Sequence, residues 1–274
     1  MTVLLAVVAG ALIGLSLGAL GGGGSILAVP VLVYLLGQSA TQATTGSLVV
    51  VGVTSILGAV TAYRAGNVLL ARGIAFGSVA IGGAAVGSKA STLVPPAVLM
   101  ASFGVLMLFV GGLMAWRQLR RSRGSGRGIA VRPKLDDPII TFTPTIACAC
   151  PRALKVLATA TIVGLLTGFL GVGGGFLVVP ALMLALGLPI RYAAGTSLVV
   201  ITITSAAALA VRAGSGISPD WSAVLLLTVV AAVGAVVGAR FAGKVDAVRL
   251  SAAFTVLVFG VAVYTSTQAL PAFL

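Results

Sequence analysis

At 274 residues, 59% hydrophobic and only 8% charged, with a mean hydropathy of +1.21, the chain excludes a soluble globular fold and reads as an all-α polytopic membrane protein. A net charge of +13 would suggest nucleic acid in a soluble protein, but here the basic residues gather at helix ends and in one loop, where they act as topology signals, and no nucleic-acid partner is expected. There is no Glu or His, and the only acids, Asp136, Asp137, Asp220 and Asp246, fall in predicted loops, so an enzyme, a cofactor and a metal centre are not expected within the membrane.

The first apolar segment, Thr2 to Leu20, has no basic region ahead of it and is read as a retained helix, not a cleaved signal. It stops at the run Gly21 to Gly24. The next segment, Ser25 to Leu36, spans about 18 Å as a helix, too short for a hydrocarbon core of about 30 Å. It is expected to be a half-helix, with Pro30 tolerated in its first turns and Gly37 closing it. Ala43 to Tyr63, Leu70 to Ser88 and Ala97 to Trp116 are of spanning length, and Trp116 suits a membrane interface.

From Arg117 to Arg152 the composition turns basic and polar, as in an aqueous linker. Ala153 to Leu170, a second glycine break, Phe176 to Leu186, Ala193 to Val211, Trp221 to Phe241 and Val248 to Ala269 then repeat the first plan, with Trp221 at a segment end like Trp116.

The repetition is close. The stretch Gly18 to Val50 returns 150 residues later as Gly168 to Val200, placing Gly21 on Gly171, Gly24 on Gly174, Pro30 on Pro180, Gly37 on Gly187 and Ser47 on Ser197. Weaker echoes pair Arg64-Ala65-Gly66 with Arg212-Ala213-Gly214, and Gly83 and Gly87 with Gly234 and Gly238. The expected organisation is therefore residues 1–117 as one membrane repeat, 118–152 as a basic cytoplasmic linker and 153–274 as a second repeat, each with one glycine-broken helix pair and three transmembrane helices.

If each broken pair returns to its own side, the halves are inverted and fifteen basic residues share one face, leaving Lys89 and Arg212 on the other. If each pair makes one crossing, the split is twelve against five. The positive-inside rule favours inversion, with the central loop cytoplasmic.

Two interruptions in matching positions point to a transporter's binding site, since broken backbone in lipid depth is tolerated only where protein or a water-filled cavity covers it. Gly22, Gly23, Gly24 and Ser25, with Gly173, Gly174 and Gly175, are expected to form two half-helix starts whose amides receive a small anion near midplane. Thr45, Gly46 and Ser47, with Thr196 and Ser197, would approach from the following helices and supply hydroxyls. Lys89 with Arg240, and Arg64 with Arg212, are read as snorkelling helix ends or an anion-attracting entrance, outside the core site.

The pair GALGGGGSILAVP and GFLGVGGGFLVVP, followed by Thr44-Thr45-Gly46-Ser47 and Ala194-Gly195-Thr196-Ser197, resembles the sulfite exporter TauE/SafE family of membrane permeases. The resemblance covers nearly the whole chain except the central loop. It implies transport of sulfite, sulfonates or other small organic anions across a bacterial cytoplasmic (inner) membrane. Coupling to Na⁺ or H⁺, facilitated diffusion, import or export, and oligomeric state are all left open by the sequence.

Two other readings stand beside it: an anion channel, and a non-transporting scaffold or assembly partner whose glycines serve only packing and whose basic loop docks protein or anionic lipid. Cys148 and Cys150 form a C-x-C pair read as reduced and incidental in a cytoplasmic linker.

Overall fold

The computed structural model describes residues 2–123, 150–214 and 218–242, with positions 256, 259 and 260. All regular structure among them is helical: α1 (Thr2–Leu20), α2 (Ser25–Pro30, continued by a π-helical turn, Val31–Leu35), α3 (Ala40–Arg64), α4 (Leu70–Ser91), α5 (Pro96–Arg123), α6 (Cys150–Leu170), α7 (Gly175–Ala185), α8 (Ile190–Ala213) and α9 (Trp221–Ala242). Of these, α3, α4, α8 and α9 are long and apolar enough to cross a membrane. The expected last span, Val248 to Ala269, most of the linker, Cys148 and the Cys150 side chain lie outside the described residues.

Element ends follow local chemistry. α3 starts three residues before the expected Ala43 because Ser39 and Gln42 form a capping box: the Gln42 amide donates to Ser39 Oγ at 3.4 Å, and the Ser39 amide to Gln42 Oε1 at 3.2 Å. Gly37, at φ 65°, lets the Gln38 amide reach back to the Leu32 carbonyl (3.0 Å) and end the half-helix. Pro30 stands at the end of α2, not in its first turn. Without its N–H the Ile26 carbonyl has no i+4 donor, and the turn that follows widens until the Leu36 amide bonds the Val31 carbonyl (3.1 Å). The basic run Arg117 to Arg123 is not loop but the last turns of α5.

The halves are interleaved. The most extensive helix contacts, α4 with α6 and α1 with α9, each join one half to the other, as do α4 with α8, α3 with α8 and α3 with α9. Small residues make the seams: a methyl on Gly14 or Gly18 would run into the carbonyls of Ala231 or Ala235, and one on Gly164 or Gly168 into those of Ala80 or Ala84.

The register of these contacts gives helix direction. Gly14 meets Ala231 and Gly18 meets Ala235, so α1 and α9 run the same way; Gly83 meets Thr161 and Gly87 meets Leu165, so α4 and α6 do too. Gly73 meets Thr196 and Gly77 meets Ile203, aligning α4 with α8. Gln42 Nε2 donates to the Ser218 carbonyl and Gly46 meets Val224, aligning α3 with α9. Gly52 meets Ser205 while Gly58 meets Leu198, so α3 and α8 run oppositely. Two sets result, α1, α3 and α9 in one direction and α4, α6 and α8 in the other.

Buried Ile13, Leu17, Leu32, Phe76 and Leu182 fill the interior, and Phe103 of α5 meets Phe176 of α7 edge to face with centroids 6.4 Å apart. Large apolar side chains such as Leu4, Val8, Val105, Val229 and Val233 stay exposed on the outside, as a lipid-facing surface requires.

Candidate functional site

Both glycine breaks are buried, every residue of Gly21–Gly24 and Gly171–Gly175 included, and they meet. A methyl on Gly22 would strike the Gly175 carbonyl, and one on Gly175 would lie 2.7 Å from the Gly22 Cα and from Ser25 Oγ. Gly24 presses on Ile13 and Leu17 of its own α1, so α2 folds back along α1; Gly23 is enclosed with them. Gly174 takes φ 67° with Thr167 directly behind it, a conformation and a space that only glycine accepts.

Part of the donor capacity expected at the half-helix starts is used internally. The Ser25 amide and hydroxyl both donate to the Gly22 carbonyl, at 3.2 and 2.7 Å, and the Leu27 amide to that of Gly24 (3.1 Å). In the second break the amides of Leu177 and Val178 share the Gly174 carbonyl, each at 2.9 Å.

The expected hydroxyls are all buried, and each has a protein partner. Ser47 Oγ donates to the carbonyl of Gly171 in the opposite break, and Ser197 Oγ donates to that of Gly21. These reciprocal bonds hold each break to the other half's long helix. Thr196 Oγ1 accepts from the Leu69 amide at 3.0 Å, and Thr45 Oγ1 donates to the Thr41 carbonyl at 3.0 Å. Gly46 faces Val224 on α9 and serves packing there.

Two hydroxyls passed over by sequence reading do lack a partner. Ser55 and Ser205 are buried and unbonded, 150 residues apart in matching turns of α3 and α8. Ser205 Oγ would lie 3.0 Å from a Cβ on Gly173, so it sits against the second break. A buried hydroxyl without a partner costs about 1–3 kcal/mol, which marks these positions as waiting for something polar. Gln38, between α2 and α3, is orphaned in the same way.

Arg212 overturns its assignment as a helix end that snorkels to the interface. It is only 2% exposed, and its guanidinium is caged by donation to Ser88 Oγ (Nε, 3.1 Å), Thr44 and Thr45 Oγ1 (2.7 and 3.2 Å), Ser91 Oγ (2.6 Å) and the Gly168 carbonyl (3.3 Å). The pairing with Arg64 fails as well: Arg64 is exposed. Along α3 and α8 the buried positions repeat at the same offset of 150 as the breaks do, which puts Ala62, not Arg64, opposite Arg212. Lys89 and Arg240 do end up exposed.

A cleft of about 580 Å³ opens beside the cage, lined by Ser88, Lys89, Thr92 and Arg212 with the apolar Val86 and Val211. From the cleft the chain of contacts runs inward: Arg212 bonds Thr44, Thr44 packs on Gly171, and Gly171 belongs to the break that touches Gly22.

Among the described residues no group of His, Cys and acidic side chains is placed to hold a metal ion. The family model described as sulfite exporter TauE/SafE matches residues 6–265. A "probable membrane transporter protein" of Xylella fastidiosa strain 9a5c is 32% identical over 258 residues, 93% of this chain and 91% of that one. A protein of the same description from X. fastidiosa strain Temecula1 is 35% identical over 193 residues, 70% of this chain and 67% of its own. The "probable membrane transporter protein YdhB" of Bacillus subtilis is 29% identical over 246 residues, covering 88% and 91%. No solved structure matches.

Proposed function

The chain belongs to the sulfite exporter TauE/SafE family, a multi-pass membrane transporter by that membership, and on this premise we propose that it is a secondary carrier for a small anion, first of all a sulfur-containing one such as sulfite or an organosulfonate. One observation carries the reading. Two helix interruptions lie face to face inside the protein, with the unbonded Ser205 hydroxyl against one of them and Ser55 in the matching turn. A scaffold gains nothing from broken backbone and orphaned hydroxyls in its interior, whereas a carrier needs polar groups that are satisfied only when substrate is present.

The opposed directions of α1, α3 and α4 against their counterparts α6, α8 and α9 favour inverted repeats, and the charge count supports a cytoplasmic central linker for a protein of the bacterial inner membrane. Dipoles at the breaks and the hydroxyls around them would replace an anion's water shell. Either Na⁺ or H⁺ coupling is compatible with these groups.

The test is counterflow into liposomes containing the purified protein, with sulfite, taurine and a simple carboxylate as substrates. Saturable uptake stimulated by substrate on the far side is the expected result. Flux that rises linearly with concentration points to a channel, and no flux of any anion ends the transport reading.

A further inference from the structure

The pseudo-twofold relation between the halves is broken at one place. Carrying the cage of Arg212 across by the offset of the helices, Arg212 goes to Ala62, Thr44 to Ala194, Thr45 to Gly195, Gly168 to Gly18 and, between α4 and α9, Ser88 to Ala239 and Ser91 to Ala242. The α4 to α9 step rests on contacts that match one for one: Gly168 packs on Ala84 and the Ser88 amide, Gly18 on Ala235 and the Ala239 amide. The positions equivalent to the arginine and its four hydroxyls thus hold only Ala and Gly.

The space differs in the same way. Around Ala62, Ala194, Gly195, Ala239 and Gly18 there is a void of about 20 Å³, room for a single water, with Asn67 and Arg191 also in its wall, against the open cleft of about 580 Å³ beside Arg212. A pocket of the latter size is in the ordinary range for a small-molecule site.

We propose that the duplicated chain keeps a single anion station, in which the guanidinium of Arg212 takes one oxyanion from the Lys89 cleft, and that the equivalent place in the other half, where Ala and Gly stand for the arginine and its hydroxyls, is too small to take one. This rests on the carrier reading above and deepens it. Guanidinium is a planar fork suited to two oxygens of a sulfonate, sulfite or carboxylate, and it is already held in place by hydroxyls. Thr44, Thr45 and Ser91 also donate to backbone carbonyls of their own helices, so each can yield its place on the arginine to an entering oxygen without losing its own bond. Exposed Lys89 at the mouth raises the local anion concentration. Thr44, shared between Arg212 and Gly171, ties occupancy of the station to the second break.

The experiment titrates full-length protein in detergent with sulfite and with ethanesulfonate, by calorimetry and thermal shift, and measures flux in liposomes. One oxyanion per chain is expected. The half-saturating concentration should rise roughly tenfold or more in Arg212→Lys, which keeps the charge but loses the fork, while Arg64→Gln stays within about twofold of wild type. Two bound anions per chain, or wild-type affinity in Arg212→Lys or in a folded Arg212→Ala, overturns the station and leaves the carrier reading standing. Wild-type protein that binds an oxyanion through Arg212 yet moves none supports the station and removes the carrier. Protein that neither binds nor moves any oxyanion removes both.

Discussion

Ser47 and Ser197 do the same job from opposite halves, each closing the free carbonyl of the other half's first break glycine. Removing either hydroxyl leaves a buried carbonyl unbonded, so Ser47→Ala and Ser197→Ala should each cost about 1–3 kcal/mol, and by similar amounts, in unfolding of the detergent-solubilised protein. A loss confined to one of them would mean the halves are not equivalent there. Ser55 and Ser205 should behave oppositely, because they bond nothing. Alanine at either position removes a desolvated hydroxyl and should hold or raise stability by about 1 kcal/mol while lowering transport; normal flux in both variants would detach these hydroxyls from the site. The breaks themselves were legible in sequence because glycine runs at a fixed offset are rare in apolar segments. Arg212 was not, since the triplet Arg-Ala-Gly repeats at Arg64 and suggested two equivalent helix ends. The signal was present: the offset of 150, constant from Gly168 to Val200, pairs Arg212 with Ala62 when carried about three turns further.

Helix seams explain why one glycine is indispensable and its neighbour is not. Gly83 of α4 lies against the Thr161 carbonyl and the Leu165 amide of α6, whereas adjacent Gly82 faces open space with ordinary helical backbone. Gly82→Ala should therefore stabilise the protein by up to about 1 kcal/mol, through loss of unfolded-chain entropy. Gly83→Ala should destabilise by about 1–3 kcal/mol, because α4 and α6 must separate to admit the methyl. Melting of the two variants under identical conditions reads the opposite signs directly, and equal shifts would remove the tight α4–α6 contact. Apolar periodicity and glycine content announced helices and close packing, yet not which helix meets which. A stripe of small residues fits any partner of matching shape, so the exchange of α1 and α6 between halves became visible only in three dimensions. The π turn after Pro30 was also beyond sequence reading, since matching Pro180 sits in an unwidened α7.

That exchange bears on how the molecule can move. Alternating access between two repeats is commonly pictured as one contiguous half rocking against the other. Here such a motion would have to slide α1 along α9 and α4 along α6, through seams where backbone already meets backbone with no space for a methyl. Packed interfaces of this kind switch as blocks and do not shear gradually. The natural blocks are instead α1 with α3 and α9, and α4 with α6 and α8, each drawing helices from both halves and meeting along α3 and α8. Disulfides distinguish the two pictures. With Cys148 and Cys150 replaced by Ser, the pair Gly10→Cys/Val230→Cys would join α1 to α9, and Gly77→Cys/Ile203→Cys would join α4 to α8. The relevant Cβ positions lie 3.2 and 3.3 Å apart, slightly inside the usual disulfide spacing of about 3.5–4.5 Å. Both cross-links tie first half to second, so rocking of contiguous halves predicts that oxidation halts transport and reductant restores it. Interleaved blocks predict that oxidised protein keeps at least about half the flux of the reduced protein, because each bridge lies within one block. Transport abolished by either bridge, and recovered on reduction, would return the mechanism to the halves as they follow one another along the chain.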